Sequence, residues 1–251
     1  MSSEITLGSP LIRLDQTDST NACAMKIIKN GKAEEGTVIL ADYQTHGRGQ
    51  KGNTWESERG KNLLFSFILL PDFLEAGKQF YLLMSISLGL IDLLLQCGIK
   101  AVIKWPNDIY ISGRKTGGIL IENSLSGNYL TSTVAGIGLN VNQTSFTAAG
   151  NNPTSLRLEL GREINCGILF SDALKHLTEW IRRLYRKEWE VIKDRYLQHL
   201  MHYDQWAEYT DSAGYFRGRI AGILEGGELL VEKQSGIMHR YAFREINYQL
   251  S

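Results

Sequence analysis

Four short stretches hold residue types that chemistry on an anion would need. The first is His46-Gly-Arg-Gly-Gln-Lys-Gly-Asn-Thr-Trp55. Its glycines let backbone N–H groups close on an anion, and Arg48 and Lys51 supply compensating charge. The spacing is neither that of a P-loop nor a strand-borne G-x-G-x-x-G. A Gly/Arg loop by itself is more often a solvated turn, and Trp55 alone reads as a core tryptophan, although an aromatic beside such a loop can stack on a base. The second stretch, Lys104-Trp-Pro-Asn-Asp108, puts a cation, an amide and a carboxylate at a strand end. Asp108 beside Asn107 is suited to a hydrated Mg²⁺ bridging nucleotide phosphates, against a plain reading as turn chemistry. The third, Arg114 to Glu122, leads Lys115 into a strand across Gly117 and Gly118, where a ligand would meet bare backbone. The fourth, Gly136-Ile-Gly-Leu-Asn-Val-Asn142, sets two asparagines in an apolar strand; both need partners, at a bulge beside a pocket or at a plain edge.

These stretches must be positioned by ordinary elements. Asp18-Ser-Thr-Asn21 predicts a helix start, with the helix ending near Gly31. Strands are expected over residues 37–41 and 63–70, and a buried helix from about Ala76 to Cys97 stops at Gly98. A strand meander follows, turning at residues 112–114 and 126–128. A second helical region is predicted from a Ser171-Asp172 cap to about His202, with Leu174, Leu177, Ile181 and Leu184 facing the core. After about residue 204, short strands divided by glycine turns predict a small appended β-barrel. The expected division is therefore 1–204 and 205–251, in an α+β chain.

Composition narrows the class. The 251 residues carry 27 basic and 27 acidic side chains, so zero net charge gives no general argument for a nucleic-acid or membrane partner. Cys23, Cys97 and Cys166 are odd in number and widely spaced, which supports neither a disulfide framework nor a zinc site. His199 and His202 form a lone H-x-x-H and are read as helix-surface residues. The N-terminus lacks the order of a signal peptide, and the apolar stretch Leu82–Leu95 is too short for a membrane span. A cytoplasmic protein is expected.

Taken together, the four stretches resemble the biotin protein ligases. The resemblance rests on AspSerThrAsn at 18–21, Gln44-x-x-GlyArgGly running to Trp55-x-Ser57, and GlyLysAsnLeuLeuPheSer at 60–66. It continues through LysTrpProAsnAsp at 104–108, ArgLysThrGlyGlyIleLeuIleGlu at 114–122 and GlyIleGlyLeuAsnValAsn at 136–142, and the tail strands from Arg217 look like the family's SH3-like barrel. It implies a mixed or antiparallel sheet with helices, a class II synthetase-like catalytic domain, followed by that barrel. It also implies ATP and biotin as substrates, Mg²⁺ as cofactor, a biotinyl-adenylate intermediate and a lysine of a biotin carboxyl carrier protein as acceptor.

The resemblance assigns roles residue by residue. Lys115, with Arg48 and Lys104, would stabilise the carboxylate and α-phosphate, since joining two anions needs positive charge and in-line placement more than a nucleophilic side chain. Ser19, Thr20, Asn21, Gln44, Gly47, Arg48, Gly49, Gln50, Lys115 and Gly118 would line the biotin pocket. Arg48, Trp55, Asn107, Lys115 and Asn140 would hold ATP, Trp55 and Asn140 facing the adenine, and Asp108 would position Mg²⁺. Loop 45–54 would be the lid that keeps water from the mixed anhydride.

Two departures matter. Many relatives have arginine where this chain has Gln50, so a shorter-lived adenylate is expected unless Lys51 or Lys104 compensates. Only 17 residues precede AspSerThrAsn, against about 60 for a helix-turn-helix domain, so no DNA-binding role is expected. A lipoate or octanoate ligase or transferase, and a non-catalytic biotin or nucleotide sensor, are the competing readings. Pairing of strand edges leaves a homodimer open.

Overall fold

The structure, a computed structural model, describes residues 5–147 and 152–249, with every side chain among them but that of Lys51. A seven-stranded sheet runs in the order β1-β2-β3-β7-β6-β5-β4. Its strands are β1 (Leu11–Leu14), β2 (Val38–Ala41), β3 (Leu63–Leu69), β4 (Val102–Lys104), β5 (Asp108–Ile111), β6 (Arg114–Ser126) and β7 (Tyr129–Leu139). Only β1 and β2 pair in parallel; the other neighbours are antiparallel. The short β1 carries no pattern beyond four residues, and sequence reasoning did not find it.

Strand alternation distributes this sheet's chemistry. On the fully buried β3, Leu63, Phe65, Phe67 and Leu69 enter the main core. Complete burial of each such side chain contributes on the order of 2 kcal/mol. Ile68, of opposite parity, packs with Ile39, Val134 and Ala24 of helix α1 (Thr20–Lys29), and Ser66 shares that face. The helix ends as expected, at Asn30 and a left-handed Gly31. On the other face lie α2 (Phe80–Gln96), α4 (Cys166–Tyr185) and α5 (Trp189–His199).

Several expectations need correction. The apolar stretch is longer than Leu82–Leu95, since Ala76–Gln96 is long and apolar enough by composition to cross a membrane, but it is largely buried, as expected of a core helix. The second helical region begins at Cys166, capped by the Asn165 side chain on Ile168 N at 3.0 Å; Ser171 lies inside the helix, its hydroxyl on Gly167 O. It also breaks after Tyr185, where Lys187 has a positive φ of 57°, before α5 resumes. A five-residue helix α3 (Leu156–Leu160) was not foreseen. His199 and His202 are half-buried rather than on the surface, and burial lowers both imidazole pKa values.

A second, antiparallel sheet follows, in the order β11-β10-β9-β8-β12. It comprises β8 (Trp206–Asp211), β9 (Gly214–Ile223), β10 (Leu229–Lys233), β11 (Met238–Tyr241) and β12 (Asn247–Tyr248), of which β8 was not anticipated. The mixed α+β architecture with a small antiparallel C-terminal sheet agrees with the expected fold class. The C-terminal sheet grips the LysTrpProAsnAsp turn: Trp105 Nε1 donates to Gly227 O at 3.0 Å, and Phe243 packs on the Trp105 ring at 5.1 Å.

Candidate active site

A cavity of about 890 Å³ opens on the α1 face of the main sheet. Its floor is the glycine-bearing face of β6 and β7, where Gly118, Gly136 and Gly138 stand. The two β7 glycines are there for close approach. A Cβ on Gly136 would lie 2.1 Å from Asn21 Oδ1, and one on Gly138 would lie 2.4 Å from the Trp55 ring.

The N-terminus of α1 forms one end. Ser19 occupies the cap position with extended backbone, but its hydroxyl makes no capping bond. Gln44 serves a different orphan donor of the helix start, its Oε1 taking Thr20 N at 2.7 Å. Ser19 and Thr20 are buried and line the cavity with Gln44. Asn21 is buried too; its Nδ2 donates to Glu122 Oε2 at 2.7 Å and to Leu120 O at 3.4 Å.

Lys115 lies midway. Unbroken alternation along β6 would send it to the core face with Ile119. A register shift against β5, where Ile109 opposes Gly117 but Tyr110 opposes Lys115, aims it instead at the cavity face beside Gly118. There Lys115 Nζ pairs with Asp108 Oδ1 at 2.7 Å, the two side chains only 17% and 23% exposed. The same Nζ lies 5.7 Å from the centre of the Trp55 ring.

At the other end stand Trp55, Asn107, Asn140, Phe146, Thr147 and Pro153. Asn107 Nδ2 is spent on Ile119 O at 2.7 Å, locking the turn to β6. Asn140 Nδ2 donates to Thr154 O at 3.0 Å, which orients the amide and leaves Oδ1 buried without a partner. Trp55 Nε1 is likewise buried and unpartnered. Asn142, by contrast, exchanges both amide bonds with Ile164 and is structural.

The glycine loop closes as a small hairpin. Gly49 N donates to Asn53 O at 2.7 Å and Trp55 N to Gly47 O at 2.9 Å. Gly47, Arg48, Gly49 and Gln50 all line the cavity, and the Arg48 side chain is exposed.

Lys104 is not among the lining residues. It shares the sheet face with Asp108 one strand further out, but its Nζ lies over Tyr110 at 5.2 Å and Tyr248 at 5.5 Å. Desolvation there lowers its pKa, with Asp108 opposing and Lys115 adding to the shift. The Lys51 side chain lies outside the described residues. A cation does reach the loop at Gln50, from an unforeseen source: Arg244 of the C-terminal sheet donates to Gln50 O at 3.3 Å.

Sequence reasoning also passed over Ser66 and Glu122, whose side chains bond to that of Asn21 from β3 and β6. The signal for Ser66 was a lone hydroxyl in the apolar run of β3, at the parity that faces α1. Among the described residues no cluster of three or more His, Cys, Asp or Glu could hold a metal ion unaided.

Comparison with known proteins agrees with this geometry. Residues 14–140 match the Biotin/lipoate A/B protein ligase family. The chain is 33% identical over 242 residues to the bifunctional ligase/repressor BirA of Bacillus subtilis, covering 94% of this chain and 73% of that protein. A biotin–[acetyl-CoA-carboxylase] ligase of Paracoccus denitrificans is 28% identical over 89% of this chain and 94% of its own length. The biotin protein ligase of Aquifex aeolicus, solved in complex with biotin and ATP, superposes with a TM-score of 0.78 at 27% identity, covering 96% of this chain and 99% of that one. The chain therefore belongs to the biotin/lipoate A/B protein ligase family, on the side of its biotin protein ligases.

Proposed function

We propose that this chain joins the carboxylate of biotin to the α-phosphate of ATP and passes the biotinyl group to a lysine of a biotin carboxyl carrier protein. In the first step a carboxylate oxygen bonds to the α-phosphorus and the bond to pyrophosphate breaks. In the second, the lysine amine attacks the acyl carbon and AMP leaves. The observation that carries this reading is the placement of Lys115. It is a largely buried cation in the same cavity as a polar end of hydroxyl and amide side chains and an end with an open acceptor and an indole.

Each residue then has physical work. Ser19, Thr20 and Gln44 hold the ureido head. Gly118 leaves room for the aliphatic tail, and Lys115 stabilises carboxylate and phosphate as their charges converge, with Arg48 beside it. Asn140 Oδ1 is placed to accept from an exocyclic amine of adenine, and Trp55 to pack on the base. Lys104, held on two tyrosine rings, tunes the field at Asp108 rather than touching substrate. Loop 45–54 closes over the adenylate and excludes water.

The donor set fits a hydrated Mg²⁺ carried in with ATP. One carboxylate plus substrate phosphates is the usual arrangement for that ion, and Asp108 has one oxygen engaged by Lys115. When bound, the ion offsets phosphate charge. The reading includes a division at about residue 204 between catalytic and C-terminal domains, a cytoplasmic location, and no DNA-binding role.

ATP–pyrophosphate exchange with Mg²⁺, adding biotin or lipoate separately, tests the reading. Exchange that requires biotin, and is lost in Lys115→Ala, is expected. Exchange with lipoate alone would move the chain to the other branch of the family. No exchange despite biotin binding would make it a sensor.

A further inference from the structure

Ser66, Asn21 and Glu122 form a hydrogen-bonded chain behind Thr20, and proton counting gives that chain one polarity. Asn21 Nδ2 faces two acceptors, the Glu122 carboxylate at 2.7 Å and Leu120 O at 3.4 Å. The amide is thereby fixed, and Asn21 Oδ1 must accept. Ser66 Oγ lies 2.6 Å from that oxygen and also 2.6 Å from Thr20 Oγ1. A serine hydroxyl carries one proton. Asn21 Oδ1 has none to give, so Ser66 donates there, and across the second short contact the proton belongs to Thr20. Thr20 Oγ1 is also 3.1 Å from Gln44 Oε1, but its proton is already spent on Ser66, and Gln44 Oε1 is served by Thr20 N. Two acceptor oxygens thus sit 3.1 Å apart with no proton between them, at the wall of the cavity.

We propose that the Glu122–Asn21–Ser66 chain makes Thr20 an obligate acceptor, so that this point of the site selects a ligand ring N–H over a ring oxygen. The inference rests on the biotin reading of the site and goes beyond it: the three residues are positioning residues for specificity, and none needs to touch the ligand's ring. Thr20, Asn21 and Ser66 are buried, at 3%, 3% and 0% exposure, so bulk water does not readily scramble the chain. A ligand N–H placed between Thr20 Oγ1 and Gln44 Oε1 relieves the clash of lone pairs, whereas a ring oxygen there adds a third acceptor.

The test compares binding, without ATP, of biotin and of the two cyclic carbamates in which one or the other ring N–H is replaced by oxygen. The wild-type protein is expected to reject one carbamate by about a hundredfold or more relative to biotin. In Ser66→Ala the Thr20 proton is free to turn to Gln44 Oε1 or to a ligand acceptor placed between them, so the lone-pair clash is relieved without a ligand N–H and that preference is expected to fall about tenfold or more. Glu122→Leu, which frees the Asn21 amide to turn, should reproduce the collapse in case Ser66→Ala does not fold. Glu122→Gln, which still presents an acceptor to Asn21 Nδ2, should keep the wild-type ratio. Equal loss of affinity for all three ligands in Ser66→Ala and Glu122→Leu would overturn the proposal, because a merely structural role moves every ligand alike. If the wild-type protein binds no biotin, the biotin reading itself fails and takes the proposal with it.

Discussion

At the Thr20 end of the cavity Asn21, Ser66 and Glu122 hold one another in short hydrogen bonds, and Gln44 Oε1 satisfies the first N–H of α1. At the far end Asn140 Oδ1 and Trp55 Nε1 are buried with no partner, and the loop beside them is largely exposed. An unpaired buried polar group costs about 1–3 kcal/mol, so the second end carries a penalty that a ligand removes. The first end is preorganised for its ligand. On the proposed reading the second is completed by ATP, which would suit a site that binds a stable acid first and then covers a water-sensitive anhydride.

Lys115 stands where the two ends meet, so its loss should break the comparison most severely. Lys115→Ala is expected to lower biotin-dependent pyrophosphate exchange by about a hundred- to a thousandfold. Biotin binding in the absence of ATP should move far less, and equal losses in both would place Lys115 with the head pocket.

Gln44→Leu attacks the preorganised end. It removes both a ligand contact and the partner of Thr20 N, and should weaken biotin binding about ten- to a hundredfold, as read by titration calorimetry. It should also lower the melting temperature, because an N-terminal helix donor loses its acceptor. A change in the KM for ATP with unchanged biotin affinity would contradict the division.

Trp55→Ala attacks the other end. The KM for ATP should rise about tenfold through the lost base contact, with biotin affinity unchanged in its absence. Unlike a core tryptophan, Trp55 should cost little stability, because it rests on bare glycine backbone at the edge of a cavity.

The smallest effect is expected for Arg244→Ala. Its bond to Gln50 O joins the turn between β11 and β12 to the loop at the residue that departs from the expected family pattern. Release of the adenylate should accelerate about two- to fivefold, since an exposed contact of this kind contributes under about 1 kcal/mol. An unchanged off-rate would leave the Gln50 departure without a counterweight.

Local signals made much of this arrangement legible. The apolar run of α2 and the AspSerThrAsn helix start announced their elements, and the glycines of residues 117–118 and 136–138 marked where something must approach backbone. What stayed hidden depends on register and on contacts distant in sequence. The aim of Lys115 follows from a bulge against β5 that no periodicity reveals. The chain from Glu122 to Thr20 links β6, α1 and β3, spanning about a hundred residues, and becomes visible only once three strands are in order. Lys104 was expected among the site residues as the cation of the LysTrpProAsnAsp stretch, yet its side chain lies over two tyrosines from separate elements and is not among the residues lining the cavity. The bond from Thr20 N to Gln44 also stayed hidden, because it joins the start of α1 to a loop 24 residues away.

Amide hydrogen exchange, measured without ligand, with biotin, and with biotin plus a non-hydrolysable ATP analogue, tests the contrast between the two ends most directly. Amides of residues 20–24 and 63–69 should be protected throughout and change little. Those of residues 46–55 should exchange readily in the empty protein and slow about tenfold or more once both ligands are present. Equal protection of both segments in the empty protein, or a loop unaffected by the pair of ligands, would contradict it.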